Sequence, residues 1–256
     1  MGVKPPRRYW LTGASDGVAA SLAVKLLESG AHLAISSRSG KPCQILSERY
    51  PNQILMVPGD LTDSQTVREI GERITQQWGS LDTVILNAGS TEHADGQPAP
   101  QAFIEHLIRS NLLMASFCIE TALPLLQAGT LPHLVGIASP ATYLSPSLTE
   151  ASGSTLRSLF ETTRARLASD GIAVTLVHPG FDDQSLCLDD GSLPTAGSTD
   201  EAAAYILAHL AERPAELKLP IAALAALWPL PASAQAGQTD ADPCQASVWS
   251  PIKGRP

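Results

Sequence analysis

The chain has 256 residues, of which 44% are hydrophobic and 16% charged, with a formal net charge of -8. This length buries a core without disulfides or structural metals. Its longest apolar run, Ile221–Leu230, is about half of the ~20 residues that span a bilayer. The acidic balance excludes the concentrated basic surface that nucleic acids need. Four widely spaced cysteines without a CxxC pair, and no signal peptide, predict a reduced cytoplasmic protein without a metal site.

Short apolar runs alternate with longer segments of helical period, which is typical of βαβ units and a parallel sheet. The predicted strands are Tyr9–Thr12, Leu33–Ser36, Ile54–Val57, Thr83–Asn87, Leu134–Ser139 and Val174–His178. The predicted helices are Gly17–Ser29 (capped by Gly30), Ser64–Trp78, Ala102–Leu126, Ser152–Ala168, and one from a Ser198 capping box through Ala211. No linker or second core is visible, so residues 1–256 are predicted to form one domain, with 237–256 as a polar tail.

A glycine turn follows the first predicted strand. Gly13 and Gly17 are four residues apart, between that strand and the first helix. Glycine lets the backbone approach a pyrophosphate closely, and the helix N-terminus supplies free N–H groups with a partial positive charge. This turn therefore predicts a dinucleotide-binding site.

The turn also carries a family resemblance. The run Thr12-Gly-Ala-Ser-Asp-Gly17-Val-Ala19 resembles the TGxxxGxG signature of the short-chain dehydrogenase/reductase family, with Ala19 in place of the last glycine. Further marks of that family follow in order: Asp60-Leu-Thr, Asn87-Ala-Gly89, Asn111, Ser139 and Pro179-Gly180. The resemblance covers about residues 7 to 215. It implies an α/β fold with a single Rossmann-type domain, a doubly wound parallel sheet with helices on both faces.

The resemblance implies a cofactor site along the ends of the strands. Its residues would be Gly13, Ser15, Asp16, Gly17, Ser37, Arg38, Asp60, Leu61, Asn87, Ala88, Gly89, Pro179 and Gly180. Members that bind NAD place an acidic residue at the end of the second strand, where it repels a 2′-phosphate. This chain has Ser37 and Arg38 there, and a guanidinium suits a 2′-phosphate. NADP(H) is therefore expected rather than NAD(H).

The proton-transfer part of the family pattern is altered. Ser139 and Asn111 occupy the positions of the catalytic serine and asparagine of the family. Its catalytic tyrosine and the lysine four residues later, however, align with Thr149 and Gly153. The chain has no lysine at all between positions 41 and 218, so the usual relay is absent.

Two other side chains are candidates for the missing proton donor. Tyr143 lies four residues after Ser139, in the predicted substrate loop, although a loop tyrosine often just packs on the surface. His178 ends the last predicted strand and titrates near neutrality, although a strand-end histidine is often structural. The sequence leaves both alternatives open.

Three functions are compatible with this pattern. The first is an NADP(H)-dependent carbonyl reductase or alcohol dehydrogenase with a displaced proton donor, acting on a small molecule. The second is an inactive nucleotide-binding pseudoenzyme with a sensing or scaffold role. The third is non-redox lyase or isomerase chemistry assisted by Ser139 and Asn111. The resemblance also implies a homo-oligomer, a dimer or tetramer, to which the apolar segment Ile221–Leu230 could contribute a contact.

Overall fold

The computed structural model describes residues 5–15, 17–37, 41–88, 101–138, 156–179 and 198–219. Strands and helices alternate along them. The strands are β1 (Arg8–Thr12), β2 (His32–Ser36), β3 (Ile54–Met56), β4 (Thr83–Ala88), β5 (His133–Ala138), β6 (Ala173–Pro179) and β7 (Glu216–Leu219). The helices are α1 (Gly17–Glu28), α2 (Lys41–Arg49), α3 (Ser64–Trp78), α4 (Gln101–Gln127), α5 (Leu156–Leu167) and α6 (Thr199–Leu210).

The strands form a seven-stranded parallel sheet in the order β3-β2-β1-β4-β5-β6-β7. The chain first adds strands on one side of β1 and then crosses over to add β4 on the other. In such a sheet, ligands bind outside the carboxyl ends of the strands at this switch point. The topology confirms the predicted doubly wound α/β fold.

Side chains alternate between two apolar clusters, one on each face of the sheet. Trp10, Leu176 and Phe160 belong to the cluster beneath α3, α4 and α5, whereas Leu11 and Val177 belong to the one beneath α1 and α6. Strands buried on both faces need apolar residues at successive positions, as their sequences show. Burial on both faces explains why the strands read as continuous apolar runs.

The close approach of α5 to the sheet depends on a glycine in β5. A Cβ atom at Gly136 would lie 2.2 Å from Cζ of Phe160, whose side chain is fully buried. The aromatic ring of Phe160 therefore occupies the space that any other residue at position 136 would fill. This contact fixes α5 over β5.

The start of α6 and the end of α1 have the capping geometry that the sequence predicts. The amide N–H of Glu201 donates to Ser198 Oγ over 3.1 Å, and the amide N–H of Ser198 donates to Glu201 Oε2 over 2.9 Å, which confirms the capping box. At the end of α1, Gly30 has φ +83°, and its N–H donates to the carbonyl of Leu27. This geometry confirms Gly30 as the C-terminal cap.

The predicted elements differ from the structure mainly at their ends. All six predicted strands are present within one residue of their predicted bounds, although β5 ends at Ala138. The sheet also contains a seventh strand, β7, at Glu216–Leu219. Helix α2 was not predicted. No helix among the described ranges is long and apolar enough to cross a membrane. The segment Ile221–Leu230 and the tail lie outside those ranges.

Candidate active site

The turn after β1 is interlocked with the end of β4. Gly13 has φ +67°, and a Cβ atom there would lie 3.1 Å from Asn87 Nδ2. The backbone N–H of Asn87 donates to Thr12 Oγ1 over 3.0 Å, and its side-chain amide donates to the carbonyl of Gly13 over 3.4 Å. Only glycine fits this left-handed, crowded position without strain. The two neighbouring strand ends are thereby held together at the switch point of the sheet.

The first residue of α1 is a glycine in a left-handed conformation. Gly17 has φ +60°, and none of the described residues lies within 4 Å of where its Cβ atom would be. The first N–H groups of a helix have no partners inside the helix and carry partial positive charge. With the half-buried Ser15 in the same turn, they could bind the pyrophosphate of a dinucleotide.

The ends of β2 and β3 lie next to this turn. Ser36 is buried and accepts a hydrogen bond from Trp10 Nε1 over 2.9 Å, and Ser37 is 5% exposed. After β3, Asp60 is exposed and its Oδ1 accepts from the N–H and the hydroxyl of Thr62. These bonds orient the Asp60 carboxylate in its turn, where it could contact the adenine end of a cofactor. Leu61 beside it is half-buried against the core.

Asn111 and His178 lie on the same side of the sheet. Asn111 is 6% exposed in the interior of α4. His178 follows Leu176 by two residues in β6, so its side chain projects to the face covered by α4 and α5. His178 is 2% exposed, and its Nε2 atom lies 3.6 Å from Glu216 Oε2. The other carboxylate oxygen of Glu216 accepts from Arg157 Nη2 over 3.0 Å.

This arrangement places a histidine beside a carboxylate at the end of β6. Arg157 holds that carboxylate in place. Sequence reasoning singled out His178 but missed Glu216, because no local pattern connects two residues 38 positions apart.

Several predicted site residues cannot be placed. Asp16, Arg38, Gly89, Ser139, Tyr143, Thr149, Gly153 and Gly180 lie outside the described residues. Ala88 and Pro179 are the last residues of β4 and β6, so their backbone is at the carboxyl edge. Thr12 was quoted in the motif but not predicted as a site residue, although its hydroxyl joins β1 to Asn87.

Comparison with known proteins agrees with this geometry. A family model described as short chain dehydrogenase matches residues 9–186. An uncharacterised oxidoreductase of Mycobacterium tuberculosis is 30% identical over 187 residues, which are 68% of this chain and 73% of that protein. A short-chain dehydrogenase/reductase of Cladobotryum, FrzI, is 27% identical over 80% of both chains.

Solved structures share the fold. The complex of Pseudomonas aeruginosa RhlG with NADP superposes with a TM-score of 0.67 at 24% identity, covering 85% of this chain and 96% of that one. The family model covers more than half of the sequence, and the strand order and the glycine turn are those that its members require. The chain belongs to the short-chain dehydrogenase/reductase family of NAD(P)-dependent oxidoreductases.

Proposed function

We propose that this protein binds NADP(H) at the carboxyl edge of its sheet and catalyses hydride transfer between that cofactor and a small carbonyl compound or alcohol. The observation that carries the proposal is the interlock of Thr12, Gly13 and Asn87. It holds a left-handed glycine in front of the helix N-terminus, and no described residue lies within 4 Å of a Cβ atom at Gly17. A side chain at position 13 would be strained at this φ and would crowd Asn87. Because a glycine there lets the backbone approach a pyrophosphate closely, this turn fits a dinucleotide.

The choice of NADP(H) rests on the end of β2. Ser37 carries no charge, so it would not repel a 2′-phosphate as an aspartate would. Arg38, the next residue, would add a guanidinium with a geometry that matches phosphate. The structural relative RhlG was solved with NADP.

The residues of this chain would position the substrate and would donate or accept the proton. When bound, the cofactor supplies or accepts the hydride at its nicotinamide. Asn111 and Ser139 are the candidate polar contacts for the substrate oxygen. His178, beside Glu216, is the described candidate for the proton donor, and Tyr143 is the other. A positioned acid or base contributes about 10²–10⁴-fold in rate, so one of them must replace the absent tyrosine.

Binding of the two cofactors tests the proposal first. We expect NADPH to quench the protein fluorescence with a Kd at least about tenfold lower than that of NADH, because one ionic contact is worth roughly that factor. Ser37→Asp should reverse this preference by repelling the 2′-phosphate. Ser47→Asp, on exposed α2, is the matched control and should change neither Kd. Failure of the wild-type protein to bind either nucleotide would contradict the proposal.

The role of His178 is tested by kinetics. NADPH consumption would be followed with a panel of aldehydes, ketones and quinones for the wild type, His178→Gln and His106→Gln. His106 is exposed on α4 and serves as the control. Loss of about 10²-fold or more in kcat with little change in KM, together with a changed pH profile of kcat, would identify His178 as the donor. An unchanged pH profile in His178→Gln would assign that role to another group.

A second function is favoured by one sequence observation, the absence of any lysine between positions 41 and 218. With threonine and glycine at positions 149 and 153, the chain could bind NADP(H) as a regulatory or scaffold protein without turnover. Tight binding of NADPH, without consumption on any carbonyl compound of the panel, would favour this function. Turnover would exclude it.

Assembly and location are further proposals. We propose that the chain forms a homo-oligomer through the exposed faces of its long helices, since Leu113 on α4 is 41% exposed. Light scattering after gel filtration would test this, and a mass near 26.9 kDa would contradict it. Domain unity, the polar tail at 237–256 and a cytoplasmic location stay predictions.

A further inference from the structure

Two arginines converge at the amino edge of the sheet, opposite to the dinucleotide site. Arg7 immediately precedes β1, and Arg213 lies between α6 and β7. The Nη2 atom of Arg213 donates to the carbonyl oxygen of Leu131 over 2.6 Å, and Nη2 of Arg7 donates to the same oxygen over 3.4 Å. Two positive guanidinium groups thus share one neutral acceptor.

Neither guanidinium has an anionic partner among the described residues. No carboxylate in those ranges lies within 4.0 Å of Arg7 or Arg213, although other surface charges do form such pairs. Asp82 on the same edge accepts instead from the backbone N–H groups of Arg8 and Thr130. The Nε atom of Arg7 is buried without a hydrogen-bond partner. The guanidinium of Arg7 also lies 5.9 Å from the centroid of the Tyr9 ring.

The backbone is also unusual at this place. Leu131 has φ +52° and Arg213 has φ +53°, a left-handed conformation that residues with a Cβ atom rarely adopt. Such strain persists only where the surrounding structure enforces it, and it clusters at functional sites. Here the left-handed backbone brings the carbonyl oxygen of Leu131 within hydrogen-bond distance of the Arg213 guanidinium.

The polar side chains next to the two arginines are His133, Thr175 and Thr83, and the buried Asp82 carboxylate lies on the same edge. His133 is 4% exposed, and its Nε2 lies 2.8 Å from Thr175 Oγ1. Burial, and then the charges of Arg213 and Arg7, lower the pKa of His133 to about 4, so the ring is neutral near pH 7. Thr83 Oγ1 accepts from Arg7 over 3.2 Å. The two arginines thus lie in a polar environment in which the Asp82 carboxylate is already engaged with backbone N–H groups.

We propose that Arg7 and Arg213 bind a small oxyanion, a phosphate or carboxylate group, at this amino edge. Guanidinium groups bind such anions through paired, charge-assisted N–H···O bonds. The anion would remove the repulsion between the two arginines. Because the strands are three to seven residues long, this site is about 10–20 Å from the dinucleotide site.

The neutral His133 is a local reporter of such an anion. Its ring resonances would be followed by NMR across its titration, in wild-type protein with inorganic phosphate or with chloride at equal ionic strength. Phosphate at the arginines should raise the pKa of His133 by about one unit or more, because an added negative charge favours the imidazolium. Repeating the titration with acetate distinguishes a preference for phosphate from a preference for carboxylate. An identical pKa in phosphate, acetate and chloride would overturn the proposal.

Substitutions test the assignment to the two arginines. Arg213→Gln and Arg7→Gln should each weaken phosphate binding about tenfold or more, as measured from the phosphate-dependent rise in Tm. Arg166→Gln, at an exposed position on α5, is the matched control and should retain the response. An equal loss in Arg166→Gln would contradict a specific site. If Arg213→Gln and Arg7→Gln fail to fold, the titration of His133 in the wild-type protein tests the proposal by itself.

Discussion

The two halves of the sheet are packed alike but differ in the groups at their carboxyl ends. From β1 to β4, the glycine turn, Asn87 and Asp60 match the dinucleotide pattern of the family. From β5 to β7, the strands are equally buried, yet the sequence that follows β5 lacks the family's tyrosine and lysine. The packing of a fold and the chemistry at its edge are therefore specified by separate residues. Substitutions should affect one without the other.

The largest expected effect tests packing in the second half. Phe160→Ala would leave a cavity over Gly136 and should lower the free energy of unfolding by about 3–5 kcal/mol. Urea denaturation measures this loss. Leu113→Ala, at a 41% exposed position, should cost under about 1 kcal/mol. The folded Phe160 variant should bind NADPH nearly as the wild type does, and a large loss of binding would show that the halves are coupled.

The second largest effect is the pH dependence of the free energy of unfolding, which comes from the buried His133 beside Thr175. Burial, Arg213 and Arg7 lower the pKa of His133 from 6.5 to about 4 in the folded state. Between pH 4 and pH 6.5, the His133 ring binds a proton in the unfolded chain but not in the folded chain. The free energy of unfolding therefore has its full value above pH 6.5 and falls as the pH drops towards 4. The loss is about 3 kcal/mol.

Urea denaturation at about pH 7.5 and at about pH 4.5 would measure the loss with pH. His133→Gln should lose much less stability over this interval than the wild type, because it has no ring to titrate. His106→Gln, at an exposed position, should behave as the wild type. An equal loss in His133→Gln would assign the pH dependence to carboxylates.

The third effect tests the turn in the first half. Gly13→Ala places a methyl group 3.1 Å from Asn87 Nδ2 at a φ of +67°. We expect NADPH binding to weaken by about 10–100-fold and stability to fall by about 1–2 kcal/mol. Gly79→Ala is the matched control, since Gly79 has φ +71° and open space at the end of α3. It should cost similar stability and leave the Kd unchanged.

The smallest effect tests a contact that joins the halves. The N-terminus of α6 packs on α1 through hydrogen bonds from Ser21 to Thr199 and from Lys25 to Asp200. Ser198→Ala removes the cap and should cost about 1 kcal/mol in thermal or urea denaturation. Ser169→Ala, at an exposed position, should cost almost nothing. Equal losses in the two variants would show that the capping box contributes little.

Sequence patterns predicted the fold well where burial is two-sided. Continuous apolar runs locate the strands, and the turn at Gly13 locates the switch point. Helix α2 escaped prediction because it contains few apolar residues, and one of them, Ile45, is 68% exposed. The four residues of β7 are too few to establish a period, although their burial alternates along the strand.

The candidate site was predictable only where its residues are close in sequence. The turn between Thr12 and Gly17 is one local motif. Its predicted role in dinucleotide binding follows from the backbone conformation that its glycines allow. The approach of Glu216 to His178, and of Arg7 to Arg213, joins residues brought together by strand order alone. No single-sequence pattern contains such pairs.

Transfer of isotope from the cofactor tests the central claim most directly. NADPH deuterated at C4 of the nicotinamide, on either face, would be incubated with the protein and the carbonyl panel, and the products analysed by mass spectrometry. The account predicts deuterium on the carbinol carbon of at least one alcohol, from one face only. It also predicts that the transfer is reduced in Gly13→Ala and retained in Gly79→Ala. Tight binding of NADPH without deuterium in any product would contradict it.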